Sequence, residues 1–411
     1  MTVESVVDYT EIDPYQVLRK NINDKKNSLQ FLPKCLEEIS KQKNFYWNGQ
    51  KLKSAYLVDI VHNLILKFYF KKENKFHLHS TILKEKYGYL YNYYIDWLEK
   101  KGILILMFNH QKGKNSRVYS LQSSIFSSQI LRFNNPDKVL LKKFKAKVCQ
   151  IETPQEDNNL IEKDIRVKLV NDLYNIQIQF DRAIFFLENL KDNQVDMYNR
   201  NKYSVESIKQ SHIFFHFDSY GRMHTNFTIL KSYIRKNCLL IDGEETCEID
   251  IKNSQPLFLS KLIIDSGSKW VNSQELELFK QLTISGKYYN YLTDNLGNMK
   301  REEAKEMTYK VFFGRNGTNS RADKNFAKLF PTIHNFIKLY KREHGDYKIL
   351  AYDLQRSESN LIFNKIIKSI MQINPDVKIV TVHDSLIVQR RHFNEVNSIF
   401  QTKLLEEFGI I

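Results

Sequence analysis

Residues 301–314 read REEAKEMTYKVFFG, with Arg301, Lys305, Tyr309 and Phe313 each four apart. On an α-helix such a row drifts only about 40° per step and climbs about 6 Å. Two cations therefore stand one turn apart, followed by two aromatic rings on the same stripe. That order suits a nucleoside triphosphate lying along a helix, with Arg and Lys on the phosphates and the rings against sugar and base. An amphipathic helix with snorkelling cations and core aromatics is the plainer alternative. The terminal Phe-Gly at fixed register weighs against coincidence.

Two other segments gain meaning beside this row. Residues 248–256 read EIDIKNSQP; alternating Cys247, Ile249 and Ile251 predict a strand, with Asp250 on the opposite face at its end. Residues 381–388, TVHDSLIV, predict a hairpin in which apolar Ile379, Val380 and Val382 lead into His383 and Asp384. Taken singly, the first acid reads as a solvated edge residue or a helix cap and the second as a turn former. Taken together, two strand-end carboxylates 134 residues apart can hold two Mg²⁺ ions about 3.5–4 Å apart if a sheet joins them. Mg²⁺ prefers oxygen and takes one or two carboxylates plus substrate phosphates, so two acids without a His/Cys cluster meet its demand.

Upstream, residues 51–130 predict a winged helix-turn-helix. Leu57, Ile60, Val61, Leu64, Ile65 and Phe68 recur at helical spacing, Tyr94, Ile95, Trp97 and Leu98 mark a later helix ending at Gly102, and 103–121 read as a hairpin around a basic turn. Thirteen Lys and Arg against five acids between 51 and 121 leave a local excess of eight. Lys112, Lys114 and Arg117 stand where a wing would touch duplex backbone, positioning it without reading sequence. A solvated charged surface on a small packing domain is the other reading. Residues 150–210 are helical in pattern (Ile165, Leu169, Leu173, Ile176, Phe180, Ile184, Phe185, Leu190), and 1–50 read as a loose arm or a few short helices.

The whole chain has 411 residues, 42% hydrophobic and 13% aromatic, which excludes wholesale disorder. Its 62 Lys and Arg against 47 acids give +15, pointing to a polyanionic partner. No apolar run approaches the roughly 18 residues that span a bilayer, and Met1 to Pro14 lack an apolar signal region, so neither membrane nor secretion is expected. Four cysteines without a C-x-x-C pair predict a reducing cytoplasm, the chain's own or a host's, with neither a disulfide framework nor a zinc site.

The row R-x-x-x-K-x-x-x-Y-x-x-x-F-G resembles motif B of family A DNA polymerases and of single-subunit phage-type RNA polymerases. Asp250 then falls in motif A and His383-Asp384 in motif C. Gly221-Arg222, in YGRMHT (220–225), is similar to the Gly-Arg that precedes motif A. Gln355, in LQRSES (354–359), is similar to the Gln between motifs B and C. The likeness covers residues 211–411 and is strongest to the compact relatives carried by transposons and viruses.

The resemblance implies an α+β right-hand polymerase. Its palm would span 211–285 and 346–411, its fingers 286–345 and a helical thumb-like region 135–210, following the arm (1–50) and winged helix (51–130). Asp250 and Asp384 would hold Mg²⁺, or Mn²⁺ in its place. Arg301 and Lys305 would bind the triphosphate, Lys305 also protonating the pyrophosphate. Tyr309 and Phe313 would flank sugar and base, and Arg222, Gln355 and His383 would meet the DNA primer–template. Gln255 stands where family A DNA polymerases carry Glu against a 2′-hydroxyl, and motif C reads His-Asp-Ser, the RNA-polymerase form. The balance falls to dNTPs with loose sugar discrimination and no proofreading exonuclease before residue 211. A primase or RNA polymerase using rNTPs, and a non-catalytic winged-helix replication initiator or regulator, are the alternatives.

Overall fold

The computed structural model describes residues 28–71, 74–109, 116–126, 130–143, 160–191, 194–211, 213, 215–297, 299–316 and 320–409. Helices and antiparallel sheets are built around two apolar cores, one drawn mainly from residues 31–140 and one from 161–408.

Residues 28–50 carry two of the short helices expected there, Lys34–Leu36 and Glu37–Ser40, and, in place of a loose arm, strands that join the first core. Strand Ser28–Pro33 pairs with Ile130–Asn135, and Asn44–Trp47 forms a hairpin with Gln50–Lys53. Asn48 and Gly49 supply the two positive φ angles (46° and 74°) that a two-residue hairpin turn needs, so Asn-Gly was a legible signal. Helix Ser54–Lys71 follows and buries Leu57, Ile60, Val61, Leu64 and Ile65, as their spacing predicts. Helices Ser80–Tyr87 and Tyr91–Lys100 come next. A three-stranded sheet then places Val118–Leu121 between Phe76–His77 and Leu104–Phe108. Buried Asp59 ties this unit together, accepting from Gln30 Nε2 (2.6 Å), Tyr87 Oη (2.5 Å) and Lys86 Nζ (2.6 Å).

The second core wraps a five-stranded antiparallel sheet, the largest among the described residues. In chain order its strands are β1 (Ile176–Ile178), β2 (Leu239–Ile241), β3 (Glu244–Asp250), β4 (Val380–Val382) and β5 (Ser385–Gln389). In space they run β4-β5-β3-β2-β1. Residues of β5 are buried throughout, which is why its sequence reads as a continuous apolar run rather than an alternation.

The wholly helical reading of 150–210 holds for Lys163–Leu173, Phe180–Glu188 and Val195–Lys209 but fails at Ile176, which lies in β1. Three apolar or neutral residues between two helices carry too little periodicity to separate strand from helix. Helix Lys163–Leu173 is pinned to the approach to β4 by a buried pair. Lys168 Nζ donates to Asp172 Oδ2 (2.6 Å) and to the Val377 carbonyl (2.7 Å), and Ile379 N donates to the same carboxylate (2.9 Å).

Between β3 and β4 lies a block of helices that includes Arg301–Phe313. Rings of Phe279, Tyr288, Phe326 and Phe330 fill its centre, with Phe279–Phe330 centroids 5.1 Å apart. Helix Ser273–Ile284, which the sequence reading left with the palm, is tied into this block: Glu275 accepts from the backbone N–H groups of Thr332 and Ile333. Helix Ile349–Ser359 continues as a π-helix over Asn360–Ile367 and returns to α over Lys368–Ile373.

Candidate active site

Asp250 ends β3, and Asp384 occupies the two-residue loop between β4 and β5. The β3–β5 ladder sets Asp250 opposite Ser385, and Ile251 N donates to the Asp384 carbonyl (3.3 Å), so the two acids lie one residue apart across paired strands. Both stand beside left-handed backbone: His383 has φ 55° and Asn253 φ 54°. Asn and His both enter that region more readily than most side chains.

Asp250 is exposed and Asp384 half-buried. Burial, then the carboxylate of Glu358 and more weakly that of Asp250, push the Asp384 carboxyl up to about 7 against the pull of Arg222. Part of His383 faces solvent, yet the protein around its ring, with Arg222, His224 and Arg235, pushes it down to about 4. Its ring meets that of His224 edge-on at 5.9 Å and is neutral near pH 7.

Helix Arg301–Phe313 presents the expected row. Arg301, Lys305 and Tyr309 are exposed and Phe313 half-buried, while Ala304, Met307, Thr308, Val311 and Phe312 face the core. Tyr309 and Phe313 stack at 5.5 Å with planes 15° apart. The Arg301 guanidinium and Lys305 ammonium both lie over the Tyr289 ring, at 5.3 and 5.7 Å, and Arg301 donates to Asn290 Oδ1. An open cleft of about 580 Å³ runs along Lys305, Tyr309 and Phe313 to Gly314.

The protein packed around the rings raises the phenols of Tyr289 and Tyr309, and the negative charge of Asp384 raises both further. Gly314 is required where it stands, because a Cβ there would collide with the Lys310 carbonyl oxygen. Lys341, which sequence reading missed, closes this helix end, donating from Nζ to the carbonyls of Val311 (2.7 Å) and Gly314 (2.9 Å). A buried cation at a helix C-terminus also complements the helix dipole.

A second missed residue is Glu358, 1% exposed. Its Oε1 accepts from Arg222 Nε (3.0 Å) and Nη2, and its Oε2 from Ser254 Oγ (2.6 Å) and Gln255 Nε2 (2.6 Å). Arg222 is thus ion-paired rather than free. Gln255 is buried in this network, not displayed on the open cleft. Gln355 is half-buried on the helix that carries Glu358. Gly221 sits in the 218–222 loop at φ 83°, where a Cβ would come within 3.2 Å of Ser359 Cβ. Only hindsight marks Glu358: on an amphipathic helix an acid ordinarily faces water.

Ser385 also has a local cause. Its one hydroxyl proton has two acceptors within reach, Glu248 Oε1 (2.9 Å) and the Val382 carbonyl (2.9 Å), and a Glu at 385 would face the Glu248 carboxylate. Lys112 and Lys114 lie outside the described residues. Arg117 is exposed on the lead into Val118–Leu121, its carbonyl accepting from Leu78 N (3.2 Å).

Among the described residues no three His, Cys, Asp or Glu side chains converge as a metal cage. Glu358 is no spare ligand, since both its oxygens are occupied. Asp250 and Asp384 are left as a two-carboxylate donor set, which fits a hard divalent cation that draws its remaining ligands from water and phosphate.

No family model matches the chain, and no curated protein does. Fourteen solved chains match. One is the POL domain of Pol1 from M. smegmatis in complex with DNA primer-template and dNTP, at 11% identity and a TM-score of 0.37, covering 65% of this chain and 70% of that one. No helix among the described residues is long and apolar enough to cross a membrane.

Proposed function

We propose that this chain is a template-directed nucleotidyltransferase that extends a primed DNA template with dNTPs, as the compact polymerase of a mobile element or virus. One combination supports the reading: two acids held one residue apart across paired strands, and a helix whose exposed stripe runs cation, cation, ring, ring, with the Asp384 charge felt at the phenols of Tyr289 and Tyr309. In this reading β2 to β5 with their helices form the palm, the helices up to Glu343 the fingers, and residues 163–209 a thumb-like region. Residues 51–130 act as a winged helix that grips duplex backbone.

Asp250 and Asp384 would hold the divalent cation, Mg²⁺ or Mn²⁺, which when bound lowers the pKa of the primer 3′-hydroxyl and offsets charge on the departing pyrophosphate. Arg301 and Lys305 orient the triphosphate from one side, their charged heads held over the Tyr289 ring. Lys305 has no carboxylate partner among the described residues, leaving its ammonium available to donate a proton to pyrophosphate. The stacked rings of Tyr309 and Phe313 offer a platform for base and sugar. Neutral His383, Gln355 and the ion-paired Arg222 are assigned to the primer end. The Ser385–Glu248 hydrogen bond supports reading the serine of motif C as a local packing choice.

The test is primer extension with dNTPs and rNTPs side by side. Wild-type chain should extend with dNTPs, and Asp250→Ala or Asp384→Ala should lose activity by roughly a thousandfold or more, on the scale of removing a group essential to transition-state stabilisation. Undiminished extension by either variant sinks the proposal. Faster extension with rNTPs would reassign the chain as a primase or RNA polymerase.

A further inference from the structure

Glu358 receives four hydrogen bonds from three side chains, two of which open the helix Ser254–Asp265 directly after the loop that leaves Asp250. An ionised carboxylate can only accept, so it decides which way the Gln255 amide turns: Nε2 toward Glu358, Oε1 away. Oε1 has no hydrogen-bond partner among the described residues, so no other hydrogen bond there opposes that orientation. A carboxylate at 255 would stand against a second buried carboxylate within hydrogen-bond distance, an arrangement in which both cannot stay ionised. The Glu of the family A pattern would therefore have to share a proton with Glu358, whereas Gln meets it with an N–H. On its other oxygen Glu358 fixes Arg222, and Gly221 brings that arginine's loop against Ser359 of the same helix.

We propose that Glu358 is a positioning residue that couples residue 255, Arg222 and the backbone after Asp250, so that nucleotide choice is set by the 255/358 pair rather than by Gln255 alone. Its bearing on nucleotide choice rests on the polymerase reading; the coupling itself does not. The experiment is a double-mutant cycle on the full chain with Gln255→Glu, Glu358→Gln and both together. Each is followed by thermal unfolding and by single-nucleotide incorporation of a dNTP and the matching rNTP, at temperatures well below each variant's own midpoint.

Each single substitution should lower the unfolding midpoint, because one leaves two carboxylates face to face and the other leaves Arg222 without its counter-ion. The double swap again sets one amide against one carboxylate, so it should lose less than the sum of the two single losses, while Arg222, still without its counter-ion at 358, keeps it below wild type. In Glu358→Gln the KM for the dNTP should rise roughly tenfold, and the dNTP/rNTP ratio should shift, more than kcat falls. A double variant that loses the full sum of the two single losses or more, or an unchanged KM and sugar preference in folded Glu358→Gln, overturns the proposal. A wild-type chain that incorporates neither nucleotide overturns the polymerase reading and its corollary for nucleotide choice, while the melting cycle still decides the coupling.

Discussion

Lys341 is buried, 3% exposed, and its ammonium supplies the donor for two carbonyl oxygens at the end of the helix that carries Arg301 and Lys305. Removing it by Lys341→Met leaves both acceptors unserved, at about 1–3 kcal/mol each. The expected outcome is a lower unfolding midpoint and a raised KM for dNTP; a variant as stable as wild type would show that the cap is dispensable. His62 makes a separate, pH-dependent prediction. Its Nδ1 accepts from Phe31 N (3.1 Å), and burial pushes the ring down to about 4 from an ordinary 6.5. Between those values the unfolded chain binds more protons than the folded one, so stability is full above about 6.5 and falls as pH drops toward 4. Urea unfolding at pH 7 and pH 5 should show wild type losing on the order of 2 kcal/mol more than His62→Gln. Equal losses would contradict the buried neutral ring. At this scale the acids and the cation–aromatic row were legible because their chemistry recurs at fixed spacing. Glu358 and Lys341 were not, because their significance lies in partners more than 25 residues away.

Among elements, the hairpin bearing Asp384 depends on a helix two hundred residues upstream. Lys168→Met would leave buried Asp172 with only the more distant Lys378 (3.9 Å) as a cation partner and should destabilise by up to about 3–5 kcal/mol, measured by denaturant unfolding. Lys168→Met with Asp172→Leu should recover much of this, since a well-packed apolar pair removes both charges. Failure of the double variant to improve on the single would mean that the hydrogen bonds from Ile379 and to Val377 matter more than the charges. Helix positions were read well wherever an apolar stripe ran for three or more turns, as in Ser54–Lys71. The short strands Ser28–Pro33 and Ile176–Ile178 were lost because their pairing partners are distant in sequence and only tertiary contact makes them strands.

For the whole molecule, the two cores meet where Phe31 packs on Tyr203, ring centroids 4.8 Å apart, and Arg132 approaches Glu206 at 3.5 Å. The excess of +15 predicts duplex affinity that falls steeply with salt and hardly depends on sequence. Arg117→Ala should weaken binding across all sequences and flatten the salt slope by about one. Base-dependent affinity would favour a sequence-reading regulator instead. The claim on which all of this depends is that the acid pair and the helical row serve one ligand. Mn²⁺ binding followed by electron paramagnetic resonance, with and without dNTP, tests it directly. Addition of dNTP should tighten Mn²⁺ binding in wild type, and that gain should vanish both in Asp250→Asn with Asp384→Asn and in Arg301→Ala with Lys305→Ala. If either pair of substitutions leaves the gain intact, the acids and the row belong to separate sites.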